Sequence, residues 1–293
     1  TSIPLLGGLA LFHNSYGNQK ASEGVGKGWR LMGWVEDSGG ALLLRAASGD
    51  VTSFEQAPPP KDVSVVYESV DRMRGDLRRF LPAPTGGWQL LEPSGASTYY
   101  TRSFEGKWLP ESYVDPKGVA STYSYGLGGM IPTSIQVPGA PTIFLNVSNG
   151  VLRTVTYRGM AMWLMYNDAG QLTEIRNPDS SSQYIVYNTV GLISAIASPF
   201  RQQQRYHYEL QADGTAVLSS VTDYNGKRYR FSYTNEQTKI REPGSIQRVT
   251  WERSGGPAPG NVYPKKTERF RLKTKQKIPT DIPMNLNPTN AQY

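Results

Sequence analysis

The chain contains no cysteine. That excludes a disulfide frame, thiolate catalysis and cysteine ligation of a metal. Histidine is scarce as well: His13 and His207 are the two in 293 residues, too few for a His/Cys metal cluster. No run of about 18 apolar residues spans a bilayer as a helix, and no signal-peptide pattern opens the chain. No serine sits in a Gly-x-Ser-x-Gly elbow. Helical periodicity is sparse. With its first residue Thr1 followed by Ser2-Ile3-Pro4, the sequence reads as a processed product or a piece of something longer.

What is abundant points the other way. Eighteen Tyr, 30 Gly and 21 Pro favour an all-β chain, because aromatic strands separated by Gly and Pro turns are the β signature. The length suffices for a sizeable core, as one repeat array or two domains. The net charge is +7, and residues 251–293 carry +5 of it (eight Lys and Arg against three Asp and Glu), leaving the body nearly neutral.

One unit is written twice between Met165 and Pro199. Tyr166, Gly170, Leu172, Ile175 and Pro178 recur as Tyr187, Gly191, Ile193, Ile196 and Pro199, each shifted by 21 residues, and Tyr208 falls 21 later again. A fixed period of this size marks one supersecondary unit stacked repeatedly. Asn149-Gly150-Val151-Leu152 continues it upstream, with variants at Trp108–Tyr113 and Met130–Ile135. Asp213-Gly214 and Asp223-Tyr224-Asn225-Gly226 continue it downstream. About six copies fit between residues 104 and 243. The Asn-Asp-x-Gly step supplies positive φ at a turn, and the Pro, lacking a donor, ends a strand. The predicted unit is strand, tight turn, strand, turn. Leu172 and Ile175 stand three apart, which on a flat strand puts them on opposite faces. Either a bulge intervenes or both faces are partly buried.

The pattern Tyr-(Asn/Asp)-x-x-Gly-x-Leu-x-x-Ile-x-(Asn/Asp)-Pro resembles the YD repeat of the RHS family, which includes bacterial RHS toxins, the C components of Tc toxins and the teneurins. The strand Leu9–Tyr16 followed by Gly26-Lys27-Gly28-Trp29 is similar to the segment preceding the repeats in RHS shells, and Gly39–Leu44 with Ser48–Phe54 to the next hairpin. The resemblance covers most of residues 9–243. It implies an RHS/YD-repeat β-spiral of solenoid-like stacked hairpins, coiled into an open or partial shell, since about six copies are too few to close a cocoon. It also implies a structural scaffold that encapsulates or presents a toxin polypeptide, secreted, at the cell surface or loaded on a secretion apparatus, of bacterial origin. Its partners would be other parts of the shell or the toxin cargo. No cofactor is expected. The competing reading from another class is an extracellular adhesive or filament-forming module, self-associating through strand edges or its C-terminal tail.

Three regions follow: an N-terminal β region over 1–103, the repeat array over 104–250, and a linker with a basic extended tail over 251–293. In the first, Gly26-x-Gly28 lacks the third Gly, the helix and the Lys-Ser pair of a phosphate loop, so Trp29 reads as a core plug beside a tight turn. The mixed-charge stretch around Asp71, Arg72, Arg74, Asp76, Arg78 and Arg79 reads as solvated. In the tail, Ser254–Gly260 reads as a linker. Beyond it Arg269, Arg271, Lys273, Lys275 and Lys277 fall on every second residue, so that one strand would carry one cationic face, suited to guarding an edge or to binding a partner. Few aromatics accompany them, which makes nucleic acid an unfavoured partner. Asp115-Pro116-Lys117-Gly118 resembles the Asp-Pro-x-Gly string of aspartyl self-cleavage in RHS shells. It has Val119 where that junction carries Leu, it has no second copy, and repeats continue after it. It is therefore read as a repeat end, His207 as structural, and the chain as no enzyme.

Overall fold

The structure, a computed structural model, describes residues 2–13, 25, 27–48, 50–59, 65–70, 75–200, 202–210, 216–233, 237–242, 245–253, 262–271 and 277–278. The fold is all-β, with no α-helix among the described residues. The chain divides into two compact units, one comprising chiefly Thr1–Leu172 and the other Ser180–Leu286.

The first unit opens with a three-stranded antiparallel sheet, β1 (Ser2–Pro4), β2 (Ala10–His13) and β3 (Trp29–Arg30). Trp29 is fully buried here and meets His13 edge-on at 5.0 Å, with Gly28 at φ 77° just before it. Burial, with the N-terminal charge adding to it, drives the His13 pKa down to about 3, so this imidazole is neutral. Gly26 lies outside the described residues.

Eight strands then close on themselves. They are β4 (Trp34–Ser38), β5 (Ala41–Arg45), β6 (Val51–Ala57), β7 (Val66–Ser69), β8 (Arg79–Pro82), β9 (Trp88–Leu91), β10 (Ser97–Phe104) and β11 (Lys107–Val114). Each pairs antiparallel with the next, and β11 returns to β4 through Lys107 opposite Glu36 and Trp108 opposite Val35. The alternation of β5, with Leu42 and Leu44 buried between half-buried neighbours, is the two-residue period of a strand with one face in the core. The inward residues meet as one core: Val35, Leu42, Leu44, Phe54, Phe80, Leu90 and Tyr100. Phe80 is edge-on to Phe54 at 4.7 Å and to Tyr100 at 6.1 Å, the arrangement the ring quadrupoles prefer. Gly87 is required where it stands: a Cβ there would collide with the Tyr100 carbonyl and the Trp108 ring.

β11 has two halves with different partners. Its start closes the ring against β4, while Ser112–Val114 pair with Ala120–Thr122 of β12 (Ala120–Tyr125). From there antiparallel pairing runs through β13 (Pro132–Gln136), β14 (Ile143–Ser148), β15 (Val151–Tyr157) and β16 (Met160–Tyr166). β17 spans Leu172–Arg176. The all-β expectation holds, and the architecture at the N-terminal side of the expected array is a ring. Residues 34–114 form a closed ring of eight strands, and the proposed boundary at 103/104 falls inside β10.

The second unit holds β18 (Ser182–Tyr187), β19 (Ile193–Ala197), β20 (Gln203–Leu210), β21 (Ala216–Thr222), β22 (Arg228–Tyr233), β23 (Gln237–Glu242), β24 (Ser245–Arg253), β25 (Val262–Arg271) and β26 (Lys277–Ile278). Antiparallel pairing is continuous from β18 to β26. The expected boundary at 250 lies within β24, and β25 pairs along β24 from Ser245 opposite Arg271 to Arg253 opposite Val262. These strands of the tail are therefore part of the sheet. The linker Ser254–Gly260 and residues 279–293 lie outside the described residues.

Candidate functional site

The repeated hairpin is the feature that the site residues build, and one irregularity defines it. In β13, Pro132 faces Tyr125 and Ser134 faces Ser124, so Thr133 is an extra residue. In the same way Arg153 is extra in β15, Ser194 in β19 and Ser219 in β21. One inserted residue shifts everything beyond it to the other side of the pleat. Residues three apart therefore land on one face: Pro132 with Ile135, Leu152 with Val155, Ile193 with Ile196. Each of these is buried. In these sister hairpins the spacing of three arises from a bulge, and Leu172 and Ile175, spaced alike on β17, are 0% and 1% exposed.

The bulge residue carries a second function. The hydroxyls of Thr133, Ser194 and Ser219 donate to the carbonyls of Ser124, Val186 and His207, at 3.1, 3.2 and 3.2 Å. Each bond crosses to the strand opposite, satisfying a ladder acceptor at the irregularity. Tyrosines add a longer tie. Tyr166 Oη donates to the carbonyl of Leu152 at 2.7 Å, beneath the Arg153 guanidinium 5.1 Å above its ring. Tyr125 Oη donates to Pro110 O at 2.6 Å beneath Arg102, 4.9 Å above. Burial, with nearby Tyr123, pushes the Tyr125 phenol well above its ordinary value, so it remains a donor. Tyr187 faces Ile193 and Tyr208 faces Leu218, the same place relative to their bulges.

The turns share one design too. The Asn167 amide donates to Gln171 O and accepts Gly170 N at its carbonyl, while its side-chain Oδ1 accepts Gln171 N. Asn188 repeats this with Leu192 and Gly191, and Asp223 with Lys227 and Gly226. Gly170 has φ 75° and Gly191 82°. Pro178 follows Asn177 in the equivalent turn after β17, where Ser180 takes the positive-φ position at 67°. Pro199 follows Ser198, whose amide donates to Gln202 O. Asp115 belongs to the same series: its amide donates to Val119 O, Gly118 N donates to its carbonyl, and its carboxylate accepts Lys117 N and Val119 N. Asp115 and Asp223 thus play one structural part. Gly214 and Asp213 lie outside the described residues.

The tail cations are split. Arg269 and Arg271 occupy β25 opposite Gln247 and Ser245. Lys273 and Lys275 lie outside the described residues. Lys277 belongs to β26 and faces Phe270. Arg269 and Lys277 thus lie on two antiparallel strands rather than on one.

The mixed-charge stretch is more than solvated loop. Arg78 grips Asp76 with two bonds, Nε to Oδ1 at 2.8 Å and Nη2 to Oδ2 at 2.7 Å, and Ser69 donates to the same carboxylate at 2.8 Å. Burial raises the Asp76 pKa, but the bonds and charge of Arg78 together with Ser69 outweigh it, and it ends below its ordinary value. Asp71, Arg72 and Arg74 lie outside the described residues. A cleft of about 460 Å³ beside this pair is lined by Glu68, Leu77, Arg78, Arg79, Leu91 and Glu92. Among the described residues no group of three or more His, Cys, Asp or Glu is placed to hold a metal ion. His207 is exposed on β20, and its carbonyl accepts the Ser219 hydroxyl.

A basic face on β20–β23 escaped the sequence analysis. Arg205, Arg228, Arg230 and Arg241 are exposed there. The signal was present as Arg228-x-Arg230 and Lys239-x-Arg241. The acids of the same stretch, among them Asp223 in a turn, offset most of this charge in a sum over 203–242.

No family model and no curated protein matches the chain. Two solved structures are distantly similar. The TcdB2-TccC3 crystal structure without its hypervariable C-terminal region is 10% identical with a TM-score of 0.34, over 90% of this chain and 18% of that one. The TcdB2-TccC3-TEV crystal structure is 12% identical with a TM-score of 0.28, over 79% and 15%. The chain spans less than a fifth of the length of either, and a likeness this distant assigns neither fold nor role.

Proposed function

We propose that this chain is a structural scaffold, a section of an RHS-type β shell that encloses or presents a polypeptide in a bacterial toxin-delivery or cell-surface system. The observation that carries this reading is recurrence: one bulge returns in the hairpins β12/β13, β14/β15, β18/β19 and β20/β21, and one Asx-capped turn returns between β11 and β12, β16 and β17, β18 and β19, and β21 and β22. Stacked units of this kind bury a continuous core through their neighbours and grow by addition. The sequence resemblance of the same residues to YD repeats supplies the shell and the toxin cargo. No helix among the described residues is long and apolar enough to cross a membrane. In this reading the chain performs no chemistry, and Asp115 is a turn cap.

The array is tested by inserting further copies of residues 166–186 and imaging the products by electron microscopy. A shell section curves progressively as copies are added. A straight rod, or end-to-end association of the unextended chain, favours the filament or adhesive module instead. Intact mass after prolonged incubation tests the chemistry: wild type and Asp115→Asn should both remain whole, and Asp115-dependent scission near residue 115 overturns the scaffold reading.

A further inference from the structure

We propose that the outer-lying face of the β20–β23 sheet that carries Arg228, Arg230 and Arg241 binds an acidic polypeptide segment in extended conformation. Arg205 faces Thr222, which faces Arg228. His207 faces Ser220, Ser220 faces Arg230, and Arg230 faces Arg241, with Ser232 opposite Lys239. Opposed residues share a face and alternate residues return to it. One face therefore presents Arg205, His207, Arg228, Arg230, Lys239 and Arg241, with Glu209 at its margin. The reverse face takes Tyr206, Val221, Tyr229, Phe231 and Ile240.

A solvated face does not account for this arrangement. Lysine and arginine commonly guard sheet edges, but β21 and β22 are each paired on both sides. Arg230 directly opposite Arg241 is a like-charge pair, which destabilises a sheet. Neither arginine has a carboxylate partner among the described residues. Arg228 is braced, donating from Nε and Nη2 to Ser220 Oγ at 3.2 and 3.0 Å, so less conformational freedom remains to be lost on binding.

The pitch identifies the ligand. Arg228 and Arg230 are separated by two strand rises, about 7 Å, which is also the spacing of alternate side chains in an extended peptide. A segment with Asp or Glu at every second residue, lying along β22, brings successive carboxylates over successive guanidinium forks, which donate to carboxylates in bidentate fashion. Arg241 stands about 4.8 Å away on the next strand. A single-stranded nucleic acid would need aromatic platforms for its bases, and the aromatics here are on the reverse face. The inference stands independently of the shell reading.

The experiment uses the whole chain and fluorescence anisotropy of a labelled short peptide of alternating Glu and Thr, with the Gln-Thr peptide as control. The Glu peptide should bind and the Gln peptide should not. Arg230→Gln with Arg241→Gln should weaken binding by at least about tenfold, since charge-assisted bonds to two guanidiniums are lost. Arg269→Gln with Arg271→Gln removes the same charge elsewhere and should leave binding within about twofold. The Arg230/Arg241 double variant should melt no lower than wild type, because a repulsion is relieved. The proposal is overturned if wild type does not bind the Glu peptide, if the two double variants lose equally, or if oligothymidylate binds more tightly than the peptide and is lost with the Arg230/Arg241 change.

Discussion

The ring of β4–β11 and the hairpins that follow it use the same antiparallel pairing but hold together differently. The ring is closed by contacts far apart in sequence, Lys107 with Glu36 and Trp108 with Val35, around one interlocked aromatic core. Closure removes the sheet edges that would otherwise pair with other chains. The strands from β12 onward are instead marked by features set by residues close in sequence: Asx turns at Asn167, Asn188 and Asp223, bulges in four of the hairpins, and buried hydrophobics three apart. The ring therefore resembles a single cooperative unit, whereas the hairpins behave as neighbours in a chain of nearly independent terms. That distinction can be broken by placing damage in one region and reading it in the other.

The largest effect belongs to the ring core. Phe80 is 0% exposed and wedged between Phe54 and Tyr100. Phe80→Ala removes both edge-on contacts and opens a cavity, at a cost of about 3–5 kcal/mol. Hydrogen exchange followed by mass spectrometry should show residues 34–114 losing protection together. Loss confined to β7–β9 would mean that closure confers no cooperativity.

A lesion in a repeat turn should cost less and stay local. Gly170 sits at φ 75° with open space where a Cβ would go, so the cost of Gly170→Val is conformational, about 1–2 kcal/mol or more for a β-branched residue. Gln171→Val lies outside the positive-φ position and sacrifices one exposed side-chain bond from Asn167, 2.9 Å long. Urea midpoints should fall clearly for the first and barely for the second. Equal midpoints would show that backbone conformation does not limit this turn.

Legibility in the sequence followed the same division. The turns could be read because their chemistry is local: Asn or Asp at the first position and Gly at positive φ announce themselves within five residues. The spacing of Leu172 and Ile175 announced an irregularity without revealing which kind, since a bulge is visible only in the register between two strands. Ring closure was illegible, because nothing in the residues around Glu36 marks Lys107 as their partner. The Asp76–Arg78 pair was hidden in a stretch whose charges looked solvated. The basic face was missed because alternation was read only where it ran longest, at 269–277, although its two ends lie on different strands and the shorter alternations on β22 and β23 form one surface.

The smallest expected effect returns to the ring and concerns acid. The Asp76 carboxyl lies below its ordinary 3.8 in the folded chain, held there by Arg78 and Ser69 against the opposing pull of burial. Because the folded pKa is the lower one, the unfolded chain binds the proton first as pH falls. The contribution of Asp76 is thus fully present above about pH 5, and it is lost as the pH descends through 3.8 toward the folded value. Neutral to mildly basic pH leaves it unchanged, since neither state takes up a proton at this carboxyl there. Asp76→Asn keeps the shape and removes the titration, so it should be less stable than wild type at neutral pH. The gap between the two should narrow only in acid, below about pH 4. Urea midpoints of both proteins across that range, followed by a probe in the ring, measure the gap. A constant gap, or one that widens in acid, would show that Arg78 does not hold the Asp76 carboxylate in its ionised form, and that the pair contributes to the ring by shape rather than by charge.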